Sequence, residues 1–146
     1  MSKDVSEIEL PLHAHLPGEN ARHPEGFLDH VIDLAPNITL SNDALGNIPF
    51  QYGLRLLEQG FYWESHEVLE AVWMNAVPNS KERYLLQGII HVANASLKLR
   101  LKRLNAAQRL KVLAEDCIAR AYVHDDVNMG FSKSDVEQLC KKHMKI

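Results

Sequence analysis

Residues 79–103 read NSKERYLLQGIIHVANASLKLRLKR, and the reading of this stretch decides the fold. Asn79 with Glu82 has the spacing of a capping box, in which side chains take up the free amide groups of a helix's first turn. At about 100° per residue, Leu85, Leu86, Ile89, Ile90, Val92, Ala93, Leu97 and Leu101 cover a broad apolar arc. A helix apolar over that much of its circumference must be surrounded by others, so residues 80–103 predict the central helix of a bundle. The strip left over carries Arg83, Gln87, His91, Asn94 and Lys98, a polar stripe on a mostly buried helix.

Working outward, Pro78 ends a preceding helix of about 61–76. Pro49 suits a first turn and Gly60 a C-terminal cap, so an earlier helix spans about 48–59. On the other side, Asn105 with Gln108 predicts a fourth helix reaching about Val123, and Ser134 with Glu137 a short fifth. No strict apolar alternation is long enough for a strand, so the class is all-α. Short connections between the helices suit antiparallel neighbours in a compact bundle of about five.

Residues 1–46 have no sustained period and are punctuated by Pro11, Pro17, Gly18, Pro24, Gly26, Pro36 and Gly46. They nevertheless carry Leu10, Leu12, Leu16, Phe27, Leu28, Val31, Ile32 and Leu34, too much apolar surface for a solvated linker. The expectation is a single domain, with residues 1–46 as an irregular arm wrapped over a helical body at 47–146.

Composition excludes several classes. With 146 residues, 46% hydrophobic and 24% charged, the chain is an ordinary globular domain rather than a disordered, collagen-like or disulfide-built one. The longest apolar run, Ala71 to Met74, is far short of a membrane span. The first ten residues mix Lys3, Asp4, Glu7 and Glu9 with isolated apolar positions and form no secretory signal, so the expected compartment is the cytoplasm. Cys117 and Cys140 have no metal-type spacing and suit a reducing compartment as free thiols, Cys117 at a core-like position with Leu113 and Ala121. A net charge of −3 gives no general attraction to nucleic acid or anionic lipid. The basic residues Lys98, Arg100, Lys102, Arg103, Arg109 and Lys111 scatter around their helices instead of forming one phosphate-binding face. No phosphate loop, serine elbow or Cys-x-x-Cys pair is present, so the common cofactor classes have no support.

The chemistry concentrates in one helix. Phe61, Val68, Leu69, Val72 and Trp73 fall on one arc of residues 61–76, with His66 and Glu70 at its edge and Glu64 and Glu67 further round. Glu64/Glu67 and Glu67/Glu70 are like-charged pairs three apart, which repel. A divalent metal ion would offset that, ligated by His66 and Glu70 one turn apart on one face. Glu67 beside the first ligand then stands where the general base stands in the His-Glu-x-x-His helix, although Glu70 replaces the second His. A third ligand would come from His91, Gln87 or His23. A second reading makes the same residues, with Arg83, Gln87 and Asn94, a buried hydrogen-bond network between the second and third helices. A third lets that network line a pocket walled by Trp63, Trp73 and Tyr84. The Glu-x-x-His pattern of di-iron bundles is absent, which removes a ferritin-like centre. His13 and His15, in the arm, read as incidental.

The segments at 60–73, GFYWESHEVLEAVW, and 83–94, RYLLQGIIHVAN, together closely resemble a prokaryotic family known as domain of unknown function 309. In the arm, Leu16-Pro17-Gly18 and Arg22-His23-Pro24-Glu25-Gly26 look like the signature found ahead of the helical core in one branch of it. The resemblance covers about residues 11–121. It implies a small all-α domain, sometimes labelled a predicted metal-dependent hydrolase, with no established reaction. The arm signature makes His23 a candidate lid over the helical site, and His91 stands where the family more often has Gln.

Two functional classes follow. In the first, a metal-dependent hydrolase acts on a small molecule, with His66, Glu70 and His91 as ligands, Glu67 as base and a solvent-reachable cleft at His66. In the second, a non-catalytic module binds a partner protein or a second copy of itself, with a sealed His/Glu network and an exposed apolar patch elsewhere.

Overall fold

The computed structural model describes residues 5–146; Lys3 and Asp4 of the leader reading, like the rest of residues 1–4, lie outside it. Five helices form the body: α2 (Ile48–Glu58), α3 (Tyr62–Met74), α4 (Lys81–Arg100), α5 (Leu104–Ala121) and α6 (Lys133–His143). They are preceded in the arm by a one-turn helix α1 (Asp29–Ile32) and by 3-10 turns at Val5–Glu7 and Ser41–Gly46. The chain is an all-α bundle with its irregular N-terminal arm wrapped over it.

The helix starts have local causes, some of them displaced from their sequence signals. Asn47 caps α2 by accepting from the Phe50 amide, with Pro49 in the first turn, and Gly60 follows the helix at φ 84°. Ser80, not Asn79, caps α4 by accepting from the Arg83 amide; Asn79 is instead at φ 66°, the left-handed turn that Asn tolerates. Asn105 lies inside the first turn of α5, whose preceding bend is made by Lys102 at φ 61°. The capping box of α6 is Ser132 with Asp135, two residues ahead of Ser134 and Glu137. Val127–Asn128 and Phe131–Ser132 form a two-residue antiparallel pair. Met129 and Gly130, at φ 51° and 81°, have the double positive φ of a tight hairpin. Two-residue strands carry no alternation to read in advance.

Helix α4 packs against α3 on one side and α5 on the other, burying Leu85, Leu86, Ile89, Val92, Ala93 and Leu97. A Cβ at Gly88 would lie 2.9 Å from Ile118 Cγ1, so α4 and α5 meet where no side chain intervenes. Gly53 does the same for α2 and α3, where a Cβ would come within 2.5 Å of Leu69. Beside it the Ser65 hydroxyl donates to the Gly53 carbonyl at 2.7 Å.

A second apolar cluster joins the arm to the body: Ile8, Leu28 and Val31 pack with Tyr52, Leu56 and Val68. Polar ties reinforce it. The Tyr52 hydroxyl donates to the Glu9 carbonyl at 2.7 Å, and Arg55 donates to the carbonyls of Val5 at 3.0 Å and Ile8 at 2.6 Å. Leu12 and Leu34 take no part and stay exposed, as does Leu113 of α5. Among the described residues, no helix is long and apolar enough to cross a membrane.

Candidate metal centre

Helix α3 presents two different environments. Although its helical angle sets it away from the apolar arc, Glu64 is fully buried, because the arm crosses that side of the helix. Its Oε2 accepts from the His15 amide at 2.8 Å and from His23 Nε2 at 2.5 Å. Asn20 Oδ1 shapes the crossing loop by accepting from the Leu16 amide at 2.8 Å and from His15 Nδ1 at 3.2 Å. The His15 ring meets Trp63 edge-on at 5.0 Å, while His23 stacks on Phe27 at 4.1 Å and leans on His13 at 4.5 Å. His15 and His23 therefore meet over Glu64 and Trp63, with His13 packed on the His23 ring.

One turn further on the helix is open. His66 Nδ1 donates to the Trp63 carbonyl at 2.8 Å, so the neutral ring has a bare Nε2. Nε2 faces Glu67 Oε1 at 3.6 Å and Glu70 Oε2 at 3.7 Å, too far for hydrogen bonds. One ligand atom from each of the three lies within 4.8 Å of the others. Their side chains are 21%, 39% and 49% exposed, so the group is reachable from solvent. Among the described residues, neither Glu67 nor Glu70 pairs with a Lys or Arg.

The donor set fits a divalent ion. Donors around a tetrahedral ion with bonds of about 2.1 Å are about 3.4 Å apart, near the two separations seen. One imidazole and two carboxylates suit zinc, manganese or iron. A backbone carbonyl that holds the far ring nitrogen is the usual way a ligating histidine is aimed.

The polar stripe of α4 does not join this group. Arg83 donates to the Ala76 carbonyl at 2.9 Å and lies 4.1 Å over the Trp73 ring. Gln87 and Asn94 are half-buried, and among the described residues no hydrogen bond or ion pair links Arg83, Gln87 or Asn94 to the α3 acids. The network expected between the second and third helices is thus replaced by one between α3 and the arm. His91 stands outside the ligand group; its Nδ1 is buried without a partner, and burial holds its pKa below the usual histidine value.

A cleft of about 550 Å³ opens between the arm and α3, walled by residues 22–29, Ile32, Trp63 and Glu67. Glu67 belongs both to this cleft and to the ligand group. Trp63 lines the cleft and holds His66, whereas Trp73 and Tyr84 lie elsewhere. An apolar hollow of about 600 Å³, walled by Leu54, Ile89, Phe131 and Leu139 among others, contains none of the residues that the sequence marks for chemistry.

Residues 50–110 match the family model described as a domain of unknown function (DUF309). The chain resembles that family. The matched stretch contains the whole of α3 and α4, and so the complete His66, Glu67 and Glu70 group; the arm with His23 lies outside it. No curated protein and no solved structure matches the chain.

Trp63 walls a cleft as the sequence suggests, whereas His13 and His15, which read as incidental, pack at the Glu64 crossing with Phe27 stacked on His23. One signal was present: His13 and His15 are two apart in a segment bounded by Pro11 and Pro17, and extended chain places such residues on the same side.

Proposed function

We propose that α3 carries a divalent-cation site formed by His66, Glu67 and Glu70, and that this site serves hydrolysis of a small substrate held in the neighbouring arm cleft. The observation that supports it is the orientation of His66. Its proton is committed to the Trp63 carbonyl, so a bare nitrogen and two carboxylate oxygens converge. The two carboxylates repel each other and the bare Nε2 offers neither of them a proton, so a cation among the three relieves the repulsion. When bound, the ion supplies a Lewis acid that polarises a carbonyl or phosphoryl oxygen.

The protein's own contributions are positional. His66 and Glu70 hold the ion from one face of α3. Glu67 faces the same nitrogen as Glu70, which favours a ligand role over that of a free base, and its place in the cleft wall brings the ion to the substrate. Trp63 offers a flat apolar face for the substrate. Cys117 and Cys140 are free thiols, and burial pushes Cys140 up to about 11. That supports inert packing roles for these two thiols.

The test is equilibrium dialysis of chelator-stripped, untagged protein against zinc and manganese. One ion per chain is expected for the wild type and none for His66→Ala, with the helical circular dichroism of the two proteins the same. Equal binding by both, or by neither, overturns the proposal. A second reading, a non-catalytic binding module, draws on the sealed Glu64 and its two arm partners; it expects neither protein to bind an ion.

A further inference from the structure

We infer that His23 is the proton-transfer group of the arm cleft and that Glu64 is the residue that positions it. The inference rests on the proposal that the cleft is a reaction site, and gives that site the base that Glu67 cannot be while it ligates an ion.

The geometry is that of a carboxylate–imidazole pair. His23 Nε2 donates to Glu64 Oε2 at 2.5 Å, and the same oxygen accepts from the His15 amide at 2.8 Å, so the carboxylate is fixed from two directions. The neutral His23 ring therefore has its lone pair on Nδ1. Nδ1 has no hydrogen-bond partner among the described residues, and it is not one of the sealed polar atoms. The ring forms part of the cleft wall beside Trp63 and Glu67. Stacking against Phe27 at an interplanar angle of 19° holds its plane. A buried carboxylate that fixes the tautomer of an imidazole whose other nitrogen faces substrate is the arrangement that makes histidine an efficient base.

A purely structural tie leaves one observation unexplained. Glu64 Oε1 is buried without a partner, and a carboxylate serving only to fasten the arm would be expected to have both oxygens satisfied. With Oε1 unanswered, the charge of Glu64 falls chiefly on His23, which stabilises the imidazolium formed when Nδ1 takes a proton.

The step balances without a further reactant. Water in the cleft gives a proton to Nδ1 as its oxygen bonds to the electrophilic carbon or phosphorus of an ester, amide or phosphoester. The bond to the leaving oxygen or nitrogen then breaks, and that atom takes the proton back from Nδ1. The Nε2 proton stays against Glu64 throughout, and the ring ends as it began.

The experiment is long-range proton–nitrogen NMR of ¹⁵N-histidine-labelled, metal-free protein at neutral pH. For the wild type we expect His23 in one tautomer, protonated at Nε2 and bare at Nδ1. Glu64→Ala, which removes the acceptor oxygen, should lose that single-tautomer state while keeping its circular dichroism. A wild-type Nδ1 that carries a proton overturns the inference, and so does a folded Glu64→Ala protein with unchanged His23 nitrogen shifts. Should the variant fail to fold, the wild-type spectrum decides alone. Because the spectrum is taken without metal, the two proposals fail separately. The expected tautomer in a protein that binds no ion refutes only the cation site, whereas ion binding with a protonated Nδ1 refutes only the His23 assignment.

Discussion

Glu64 and Glu70 lie less than two turns apart on α3, yet one is sealed and the other is half in water. Glu64 is fully buried and takes two hydrogen bonds from the arm. Glu70 is 49% exposed and faces an imidazole nitrogen that, in the neutral ring, has no proton to give. The difference lies in what covers them, since the helix treats both alike. The arm passes over one side of α3 and stops short of the other. A single acidic helix thus supplies a structural anchor and, one turn later, an open group of metal-type donors. The lesson is that like residues in one motif need not share a role.

The strongest way to break this comparison is Glu64→Ala. It would leave the His15 amide and His23 buried without their acceptor, so unfolding in urea should show a loss of about 3 kcal/mol, as for other broken buried pairs. A loss under about 1 kcal/mol would mean that the arm is not held through this carboxylate.

A smaller effect should come from the stripe on α4, which lies between the two extremes. Burial holds His91 below the usual histidine pKa, and burial does the same to His143 against the opposing pull of Glu58. The unfolded chain therefore takes up protons that the folded chain refuses. Stability from these groups is complete above about pH 6.5 and is lost as the pH falls below it. Melting temperatures at neutral pH and at about pH 5 should show a smaller drop for His91→Gln than for the wild type. An equal drop would show that His91 titrates freely and is not enclosed as described.

The smallest effect belongs to the open half. Glu67→Gln and Glu70→Gln should each change the stability of metal-free protein by less than about 0.5 kcal/mol, in the stabilising direction, because each removes a like-charge neighbour three residues away. Thermal melts of both variants with and without zinc sharpen the point: the wild type should gain stability from the ion and the variants less. A loss of several degrees in metal-free Glu70→Gln would place Glu70 in the structural half.

Much of the fold could be read in advance because its causes are local. The broad apolar arc of residues 85–101 required a central helix. Pro49, Gly60 and Pro78 punctuated the chain where it turns, and the apolar residues of the arm implied packing on the body. Errors of one or two residues came at caps, where Ser80 and Ser132 competed with Asn79 and Ser134 for the same role. Side-chain preference alone does not decide between adjacent candidates when a left-handed turn also has to be placed. The grouping of His66 with Glu70 likewise followed from helical spacing.

Sequence alone determined that α3 concentrates three acids and a histidine, since composition and a period of 3.6 are properties of a single helix. Only the tertiary structure decided which of them are buried. That Glu64 meets His15 and His23 across more than forty residues, while Arg83, Gln87 and Asn94 stay apart from it, depends on where the arm crosses the bundle. The crossing is set by the packing of Ile8, Leu28 and Val31 against Tyr52, Leu56 and Val68. Such long-range apolar contact has no period along the chain and becomes visible only when the pieces are assembled.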